Sequence, residues 1–415
     1  MKRVLVITYN FPPINNITSK QWGELVSYMP KFGWEPIVLT TCSRGNLSVS
    51  IPEGNIIRIG EHCDSNKVLV EEEGLRGIPL YLKPIYFLYK KLRMEIWSID
   101  RFLFTWGREV LKYKESIKNI NPSALVATCY PPVDIWLGFL LSRNLRKPWI
   151  ADFRDPLSLW NNSKFPLIKF FDKQIDKFLV RNVNLITTAG PSIARIMKNF
   201  YKKEVKIIYN GFDSKVCIRE NFKKNIQKKI VYYAGRFHSH RLPAVNLFID
   251  WLAGNKEREI SLVLRSIGPK ESNEEILNYA RQQGTIDKVK LLSPASINTV
   301  YQEEEKADAL ILFGDLKGSL PFPEGNMPGK LFEYLPLMAP IVVIARKDSD
   351  MGSILKITKR GYLVSDDKEL DAAMNNVLTD HSLNPDWAEI NKYSFESQCK
   401  NLCNFLDQIT NLYEK

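Results

Sequence analysis

One polar stretch, residues 325–334 (GNMPGKLFEY), combines residue types that can hold an anion beside a sugar. It follows an apolar run at 309–313 that is typical of a buried strand. Gly329 lets a ligand approach the backbone closely, and the N–H groups and dipole of a helix beginning here favour an anion. Lys330 would direct a positive charge at phosphate, while Glu333, on the same helix face, can accept hydrogen bonds from ribose hydroxyls. The alternative is a surface ion pair between Lys330 and Glu333.

A second stretch, residues 233–243 (YAGRFHSHRLP), follows another apolar run and is strongly basic. Doubly wound folds place a phosphate-binding loop at the carboxyl end of such a strand. Arg236 and Arg241, with His238 and His240, could hold a diphosphate there, because arginine binds phosphate through two hydrogen bonds. The alternative is a solvated basic loop. The two histidines lack a nearby third ligand in the sequence, so we expect no metal site.

Charged residues also end a strand-like run at 149–156 (WIADFRDP). Asp152, Arg154 and Asp155 would point into the crevice at the carboxyl ends of a parallel sheet. The alternative is a salt bridge between Arg154 and one of the aspartates, with a purely structural role.

The composition indicates a globular protein with an anionic partner. The chain has 415 residues and a net charge of +12, which predicts two domains and favours phosphates, anionic lipid or nucleic acid as partners. The six cysteines form no CxxC pair, so we expect reduced thiols and a cytoplasmic protein. The apolar run at 4–8 is too short for a signal peptide, and no segment is long enough to span a membrane.

Apolar strand-like runs alternate with helical ones along the whole chain, which predicts an α/β protein with two Rossmann-like, doubly wound parallel sheets facing a cleft. We predict an N-terminal domain over 1–210, a Lys-rich linker over 211–228, a C-terminal domain over 229–393, and a last helix over 394–415 that can cross back to the first domain.

One segment, residues 81–118, interrupts this pattern with many aromatic and basic residues. Basic, aromatic helices can lie in a membrane interface, so peripheral contact with the inner membrane face is one interpretation. Ordinary helices that pack their aromatic side chains inward are the other.

Taken in order, five segments resemble the family 4 (group 1) glycosyltransferases of the GT-B fold, in a bacterial polysaccharide-type branch. The resemblance covers nearly the whole chain. Its segments are VLVITYNFPP at 4–13, KFGWEPIVLT at 31–40, DFRDP at 152–156, YNGFD at 209–213 and PGKLFEYL at 328–335.

The resemblance implies a retaining, metal-independent transferase. It would move a sugar from a nucleotide diphosphate sugar to a saccharide or lipid-linked saccharide during surface polysaccharide synthesis, with no cofactor. The implied donor-binding residues are Arg236, Arg241, Gly329, Lys330, Leu331 and Glu333. The implied catalytic residues are Arg241, Lys330 and Asp155, and weaker candidates on the acceptor side of the cleft are Asn15, Asn16, Asp152 and Arg154.

The sequence departs from the family in two places. The first glutamate of the family's E-x7-E pattern falls at Gly325, with Glu324 one residue away, and the first-domain loop at 14–18 lacks the usual glycines. A UDP-sugar epimerase of the same fold and a non-catalytic nucleotide-sugar-binding subunit therefore remain alternatives. No G-x-G-x-x-G follows the first strand, which argues against a nicotinamide enzyme. The basic residues form no separate module, so we expect no nucleic-acid partner.

Overall fold

The computed structural model describes residues 1–60, 96–213, 229–379 and 383–413. Within it the chain divides into two compact units. The first unit contains Met1–Asn210 together with Phe395–Lys415, and the second contains Gly211–Ser394.

The first unit is built on a parallel sheet of seven strands in the order β3-β2-β1-β4-β5-β6-β7. The strands are β1 (Lys2–Ile7), β2 (Trp34–Thr41), β3 (Ile56–Ile59), β4 (Ala124–Cys129), β5 (Trp149–Phe153), β6 (Leu185–Thr188) and β7 (Val205–Ile207). All residues of β4 and β5 are buried, because helices can cover both faces of a parallel sheet.

Helices connect these strands and complete the unit. They are α1 (Ile17–Tyr28), α2 (Trp106–Lys112), α3 (Lys114–Asn119), α4 (Val133–Leu145), α5 (Pro166–Leu179), α6 (Pro191–Tyr201) and, from the end of the chain, the last helix, Phe395–Tyr413. The side chain of Asn16 caps α1 by accepting a hydrogen bond from Ser19 N at 2.8 Å. Thr18, which has a residue type suited to a cap, lies inside the helix.

The second unit is built on a parallel sheet of six strands in the order β10-β9-β8-β11-β12-β13. The strands are β8 (Lys229–Gly235), β9 (Ile260–Ser266), β10 (Val289–Leu292), β11 (Ala309–Phe313), β12 (Ile341–Ile344) and β13 (Gly361–Val364). The helices, numbered on from α6, are α7 (Leu242–Gly254), α8 (Lys270–Gln282), α9 (Ile297–Lys306), α10 (Gly329–Tyr334), α11 (Asp350–Thr358), α12 (Asp367–Leu378) and α13 (Trp387–Asn391), so the last helix of the chain is α14.

The predicted class, α/β with two doubly wound parallel sheets, is confirmed. The short strand β3 was not predicted, because four residues at the sheet edge give too little apolar pattern. Most of the predicted linker, 214–228, lies outside the described residues. One prediction about the cysteines is wrong, because Cys42 is disulfide-bonded, whereas Cys129, Cys399 and Cys403 are free and buried.

Of the aromatic segment at 81–118, residues 81–95 lie outside the described part of the chain. In the remainder, Trp106 is buried and its ring lies 5.3 Å from that of Tyr9, so this aromatic side chain packs inward. Among the described residues, no helix is long and apolar enough to cross a bilayer.

Candidate functional site

Two loops of the second unit begin at the carboxyl ends of neighbouring central strands. β8 pairs with β11, with Val231 opposite Ala309 and Tyr232 opposite Leu310. Both strands run in parallel, so the loop after β8 and the loop after β11 start side by side. The predicted basic residues lie in the first of these loops, and the predicted Lys330 and Glu333 lie in the helix that follows the second.

Lys330 lies between two carboxylates. Its Nζ is 3.0 Å from Glu304 Oε1 and 2.8 Å from Glu333 Oε2. Burial alone would lower the pKa of Lys330, but the negative charges of Glu333 and Glu304 outweigh it and raise the pKa. Lys330 is therefore a firmly protonated cation, and the i,i+3 ion pair with Glu333 that the sequence offered as an alternative is present.

Glu304, on α9, is the member of this cluster that the sequence analysis missed. Its side chain is completely buried and reaches Lys330 from a helix 26 residues earlier in the sequence. The available signal was an acidic residue on the apolar side of α9, next to the buried Val300. A buried carboxylate needs a cation or hydrogen-bond donors, so Glu304 holds the Lys330 ammonium in place.

Arg241, at the start of α7, is held by the end of β8. Its Nη1 donates to Tyr233 Oη at 3.0 Å and to the carbonyl of Arg236 at 3.1 Å. The Tyr233 hydroxyl also donates to that carbonyl, at 3.2 Å. The Arg236 side chain is exposed, so the two arginines differ: Arg241 is fixed by its neighbours, whereas Arg236 extends into solvent.

His238 and His240 lie in the same loop with their rings stacked, 5.6 Å between centroids. Burial, followed by the charges of Arg241 and His238, lowers the pKa of His240 to about 4. The pKa of His238 is lowered by burial and by the same arginine. Both histidines are therefore neutral near pH 7 and can hydrogen-bond to a ligand but add no charge to the loop.

A second residue that sequence reasoning missed is Asp315, two positions after β11. It is buried, and its Oδ2 accepts a hydrogen bond from Leu320 N at 2.7 Å. Its negative charge offsets a small part of the lowering of the His240 pKa, so the two side chains interact. Its only signal in the sequence was its position at the carboxyl end of a strand.

Three buried polar atoms of these loops have no hydrogen-bond partner within the described parts of the chain: Arg241 Nε, His240 Nε2 and Asp315 Oδ1. Buried polar atoms are nearly always satisfied by protein, water or ligand. The nitrogens of Arg241 and His240 can donate hydrogen bonds and the oxygen of Asp315 can accept one. These loops are therefore suited to bind a polar ligand.

The helix expected to bind an anion, α10, is only six residues long. Pro328 occupies its cap position, and Asn326, which has a residue type suited to a cap, lies before it. Gly329 and Leu331 are buried, and the Leu331 N–H donates to the Pro328 carbonyl at 3.1 Å, so this amide is already engaged. The positive charge of Lys330 is thus a stronger argument for anion binding than the helix end.

In the first unit, Asp152 and Arg154 form a buried ion pair. Arg154 donates Nε and Nη2 to the two carboxylate oxygens of Asp152, at 2.9 and 3.0 Å. Thr128 and Thr187 donate their hydroxyls to the same carboxylate, at 2.9 and 2.7 Å. The salt bridge that the sequence offered as an alternative is thus present, and it joins β4, β5 and β6 at their carboxyl ends.

The remaining first-unit candidates are Asp155, Asn15 and Asn16. Asp155 is exposed to solvent, yet the crowding of protein around it raises the pKa of its carboxyl group, which the Arg154 charge lowers in part. Asn16 is occupied as the cap of α1, while Asn15 is exposed and accepts a hydrogen bond from Asn46 N at 3.2 Å. Asp155 thus has the properties of a titratable group available to a ligand.

A metal site does not emerge from the part of the chain that the structure describes, where no three His, Cys, Asp or Glu side chains are grouped to hold an ion. Asp348, in a sequence that resembles a D-x-D metal motif, is instead paired with Arg346 at 2.7 Å.

Comparison with known proteins identifies the fold. No sequence-family profile matches the chain, and no curated protein matches it in sequence. A glycosyltransferase from Rickettsia africae matches with a TM-score of 0.64 and 11% identity over 98% of both chains. The lipopolysaccharide outer core galactosyltransferase WaaB matches with a TM-score of 0.61 and 13% identity over 98% of this chain and 99% of WaaB.

HepE from Anabaena, solved in complex with UDP-glucose, matches with a TM-score of 0.55 and 12% identity over 100% of this chain and 98% of HepE. These similarities confirm the predicted GT-B fold of glycosyltransferases. At such identities they establish the fold alone, so membership of family 4 and the roles of individual residues stay predictions.

Proposed function

We propose that this protein is a metal-independent, retaining glycosyltransferase that takes a sugar from a nucleotide diphosphate sugar bound to the second unit. The acceptor is a saccharide or a lipid-linked saccharide, in the synthesis of a surface polysaccharide. The observation that carries the proposal is the set of unsatisfied buried atoms of Arg241, His240 and Asp315 in the loops after β8 and β11, at the carboxyl ends of the strands, where doubly wound folds bind ligands. The second of these loops leads to the protonated Lys330.

The leaving diphosphate gains negative charge as its bond to the anomeric carbon breaks and the acceptor oxygen bonds to that carbon on the same face. The proton of the acceptor hydroxyl passes to the departing phosphate oxygen. Arg241 and Lys330 stabilise this charge. Arg241 is already oriented by Tyr233 and by the Arg236 carbonyl, so it needs little rearrangement to act. Arg236, which is exposed, adds positive charge at the outer part of the diphosphate.

Lys330 can serve the diphosphate only if one of its two carboxylates is withdrawn, because the triad of Lys330, Glu304 and Glu333 carries a net charge of −1. Glu333 is the carboxylate that moves, since it is 20% exposed whereas Glu304 is completely buried. When Glu333 turns to accept hydrogen bonds from the ribose hydroxyls, Lys330 is left with Glu304 and becomes available to phosphate. Donor binding thereby couples recognition of the ribose to activation of the cation.

Asp315 and His240 lie where the donor sugar or its phosphate would reach. The Asp315 carboxylate can accept a hydrogen bond from a sugar hydroxyl, the function that the missing glutamate at Gly325 would otherwise perform. His240 is neutral and can donate to a phosphate oxygen. Gly329 and Leu331 support the site through the backbone at the start of α10.

On the acceptor side, Asp155 is the candidate for orienting the acceptor hydroxyl, because it is reachable by solvent and its pKa is raised. Asn15 is the candidate for hydrogen bonding to the saccharide. Asp152 and Arg154 are occupied by each other and by neighbouring protein groups, and they act by fixing the strand ends that precede Asp155.

The test is donor binding by thermal shift and calorimetry with UDP, GDP and their sugar derivatives, in the presence of EDTA. We expect one nucleotide diphosphate to bind, and Arg241→Ala to weaken it at least tenfold while the fold is retained. Lys270→Ala, an exposed lysine on α8, is the matched control and should bind normally. Unchanged affinity in Arg241→Ala, or loss of binding with EDTA, would contradict the proposal.

Turnover with saccharide and lipid-linked acceptors then separates the alternatives. Transfer of the sugar supports the proposal. Exchange of the sugar's ring hydrogen with solvent in the absence of acceptor would identify an epimerase, and donor binding without either reaction would identify a non-catalytic subunit.

A further inference from the structure

Helix α5 is oriented with its carboxylates inward and its phenylalanines outward. Asp172 and Asp176 are completely buried, whereas the three phenylalanines of the same helix, Phe170, Phe171 and Phe178, are exposed. A helix on the surface of a domain normally shows the reverse arrangement.

Specific hydrogen bonds fix this orientation. The Asp172 carboxylate accepts from the backbone N–H of Trp97 at 3.0 Å, the N–H of Ser98 at 2.8 Å and the side-chain amide of Asn161 at 2.6 Å. The Asp176 carboxylate accepts from the hydroxyl of Ser158 at 2.6 Å. Rotation of α5 to bury its phenylalanines would break these bonds and leave donors unsatisfied, so the outward face is a fixed property of the fold.

The exposed apolar side chains form one surface, which we call the phenylalanine face. Their exposed fractions range from 42% to 66%, and they are Phe165, Leu167, Phe170, Phe171 and Phe178. Leu167 lies three and four residues before Phe170 and Phe171, and Phe178 lies seven residues after Phe171, which places them on one side of the helix. An exposed apolar stripe of this kind indicates a binding surface.

Positive charge borders this face. Lys169, Lys173 and Lys177 are spaced four residues apart and form a row along the helix, with Lys164 before it and Arg181 after it. The only acidic residues between 164 and 181 are the two buried aspartates, so no carboxylate of this segment offsets the five cations at the surface.

We propose that the phenylalanine face docks on an anionic lipid bilayer, with the phenyl rings at the boundary of the acyl chains and the lysines at the headgroup phosphates. Phenylalanine and leucine beside lysine is the composition of helices that lie in the plane of a membrane interface. A second copy of this chain is a poorer occupant, because a two-fold contact would bring two sets of five cations together.

This docking surface is independent of the proposed transfer reaction, and it differs from the segment at 81–118, for which membrane contact was one of two interpretations.

The test is co-sedimentation of the full-length protein with vesicles of phosphatidylcholine containing 30% phosphatidylglycerol, compared with pure phosphatidylcholine. We expect binding to the anionic vesicles at least tenfold tighter than to the neutral ones, weakening as salt is added. Equal binding to both vesicles, or no binding to the anionic ones, would overturn the proposal.

Two pairs of variants locate the surface. Phe170→Ser with Phe171→Ser should reduce vesicle binding at least tenfold, whereas Met338→Ser with Ile357→Ser, exposed apolar positions of the second unit, should not. Circular dichroism melts should show that both double variants stay folded.

The charge comparison uses two triple variants with the same net charge. Replacing Lys169, Lys173 and Lys177 with glutamine should weaken binding by roughly fivefold per lysine. Replacing Lys270, Lys290 and Lys356 with glutamine should have little effect. Equal losses in both triple variants would overturn the assignment to α5. So would sedimentation velocity showing a dimer that the Phe170 and Phe171 substitutions dissociate, because the face would then belong to a second copy.

Discussion

Replacing Lys330 with methionine should destabilise the second unit strongly, because it leaves the Glu304 carboxylate buried opposite an apolar side chain. Removing one partner of a buried ion pair costs about 3–5 kcal/mol. Glu304 carries most of this cost, since it is completely buried. Glu333, which also loses its partner, is partly exposed and should add less than about 1 kcal/mol.

For a unit of this size the loss corresponds to a fall in Tm of roughly 6–20 °C. Adding Glu304→Met to Lys330→Met removes the stranded charge, and replacing a whole buried pair with apolar residues of similar volume is often neutral. The double variant should therefore recover most of the lost stability.

Thermal and urea unfolding of the wild type, both single variants and the double variant form the cycle that measures this coupling. Glu333→Gln is the matched control, because it leaves the Lys330–Glu304 pair intact and should cost less than about 1 kcal/mol. The reasoning is refuted if Lys330→Met unfolds within about 1 kcal/mol of the wild type, or if the double variant is no more stable than that single one. The double variant is also the right protein for a binding assay, because Lys330→Met alone would confuse loss of the site with loss of the fold.

Three further predictions concern other carboxylates. Burial raises the pKa of Asp176 to about 6, above about 3.9 in an unfolded chain, so its contribution to stability should fall by about 3 kcal/mol as the pH rises from about 3 to about 7. Asp176→Asn should remove that slope in urea titrations, and an unchanged slope would contradict the burial. Asp152→Asn should cost about 3–5 kcal/mol, because it strands the buried Arg154 guanidinium, and a cost below about 1 kcal/mol would refute the ion pair. Glu333→Gln should weaken binding of the ribonucleotide while a 2′,3′-dideoxyribose analogue binds wild type and variant equally; a uniform loss would contradict the ribose contact.

Much of the fold could be predicted because its strands are nearly continuous apolar runs. Five strands of the second sheet, β9 to β13, coincide with such runs: Ile260–Ser266, Val289–Leu292, Ala309–Phe313, Ile341–Ile344 and Gly361–Val364. A strand that is buried on both faces of a parallel sheet is apolar along its whole length, so its ends are easy to recognise in the sequence. The short edge strand β3 was missed because half of its residues are only partly buried.

The candidate site was less predictable, because its decisive contacts join distant parts of the sequence. The spacing of Lys330 and Glu333 shows that they share a helix face, but it cannot reveal that Glu304 approaches from another helix. Asp315 and the unsatisfied atom of Arg241 likewise become apparent only when β8 and β11 lie side by side. The pair of Asp152 and Arg154 was anticipated as one of two alternatives, and only the structure shows how completely the two side chains are used.

Helix α5 gives the clearest example of a pattern that misleads. Its apolar residues have the spacing that is typical of a helix packed on a core, yet Phe170, Phe171 and Phe178 are exposed. The helix instead turns two aspartates toward the protein interior, because their carboxylates accept hydrogen bonds from Trp97, Ser98 and Ser158.

The central claim is that the cations of the second unit bind a nucleotide diphosphate without a metal ion. A crystal structure of the protein with UDP or GDP, grown in the presence of EDTA, tests it most directly. We predict the diphosphate against Arg241 and Lys330, with the Glu333 carboxylate turned to the ribose hydroxyls. A nucleotide bound elsewhere, or one that binds only when a divalent cation bridges its phosphates, would contradict the claim.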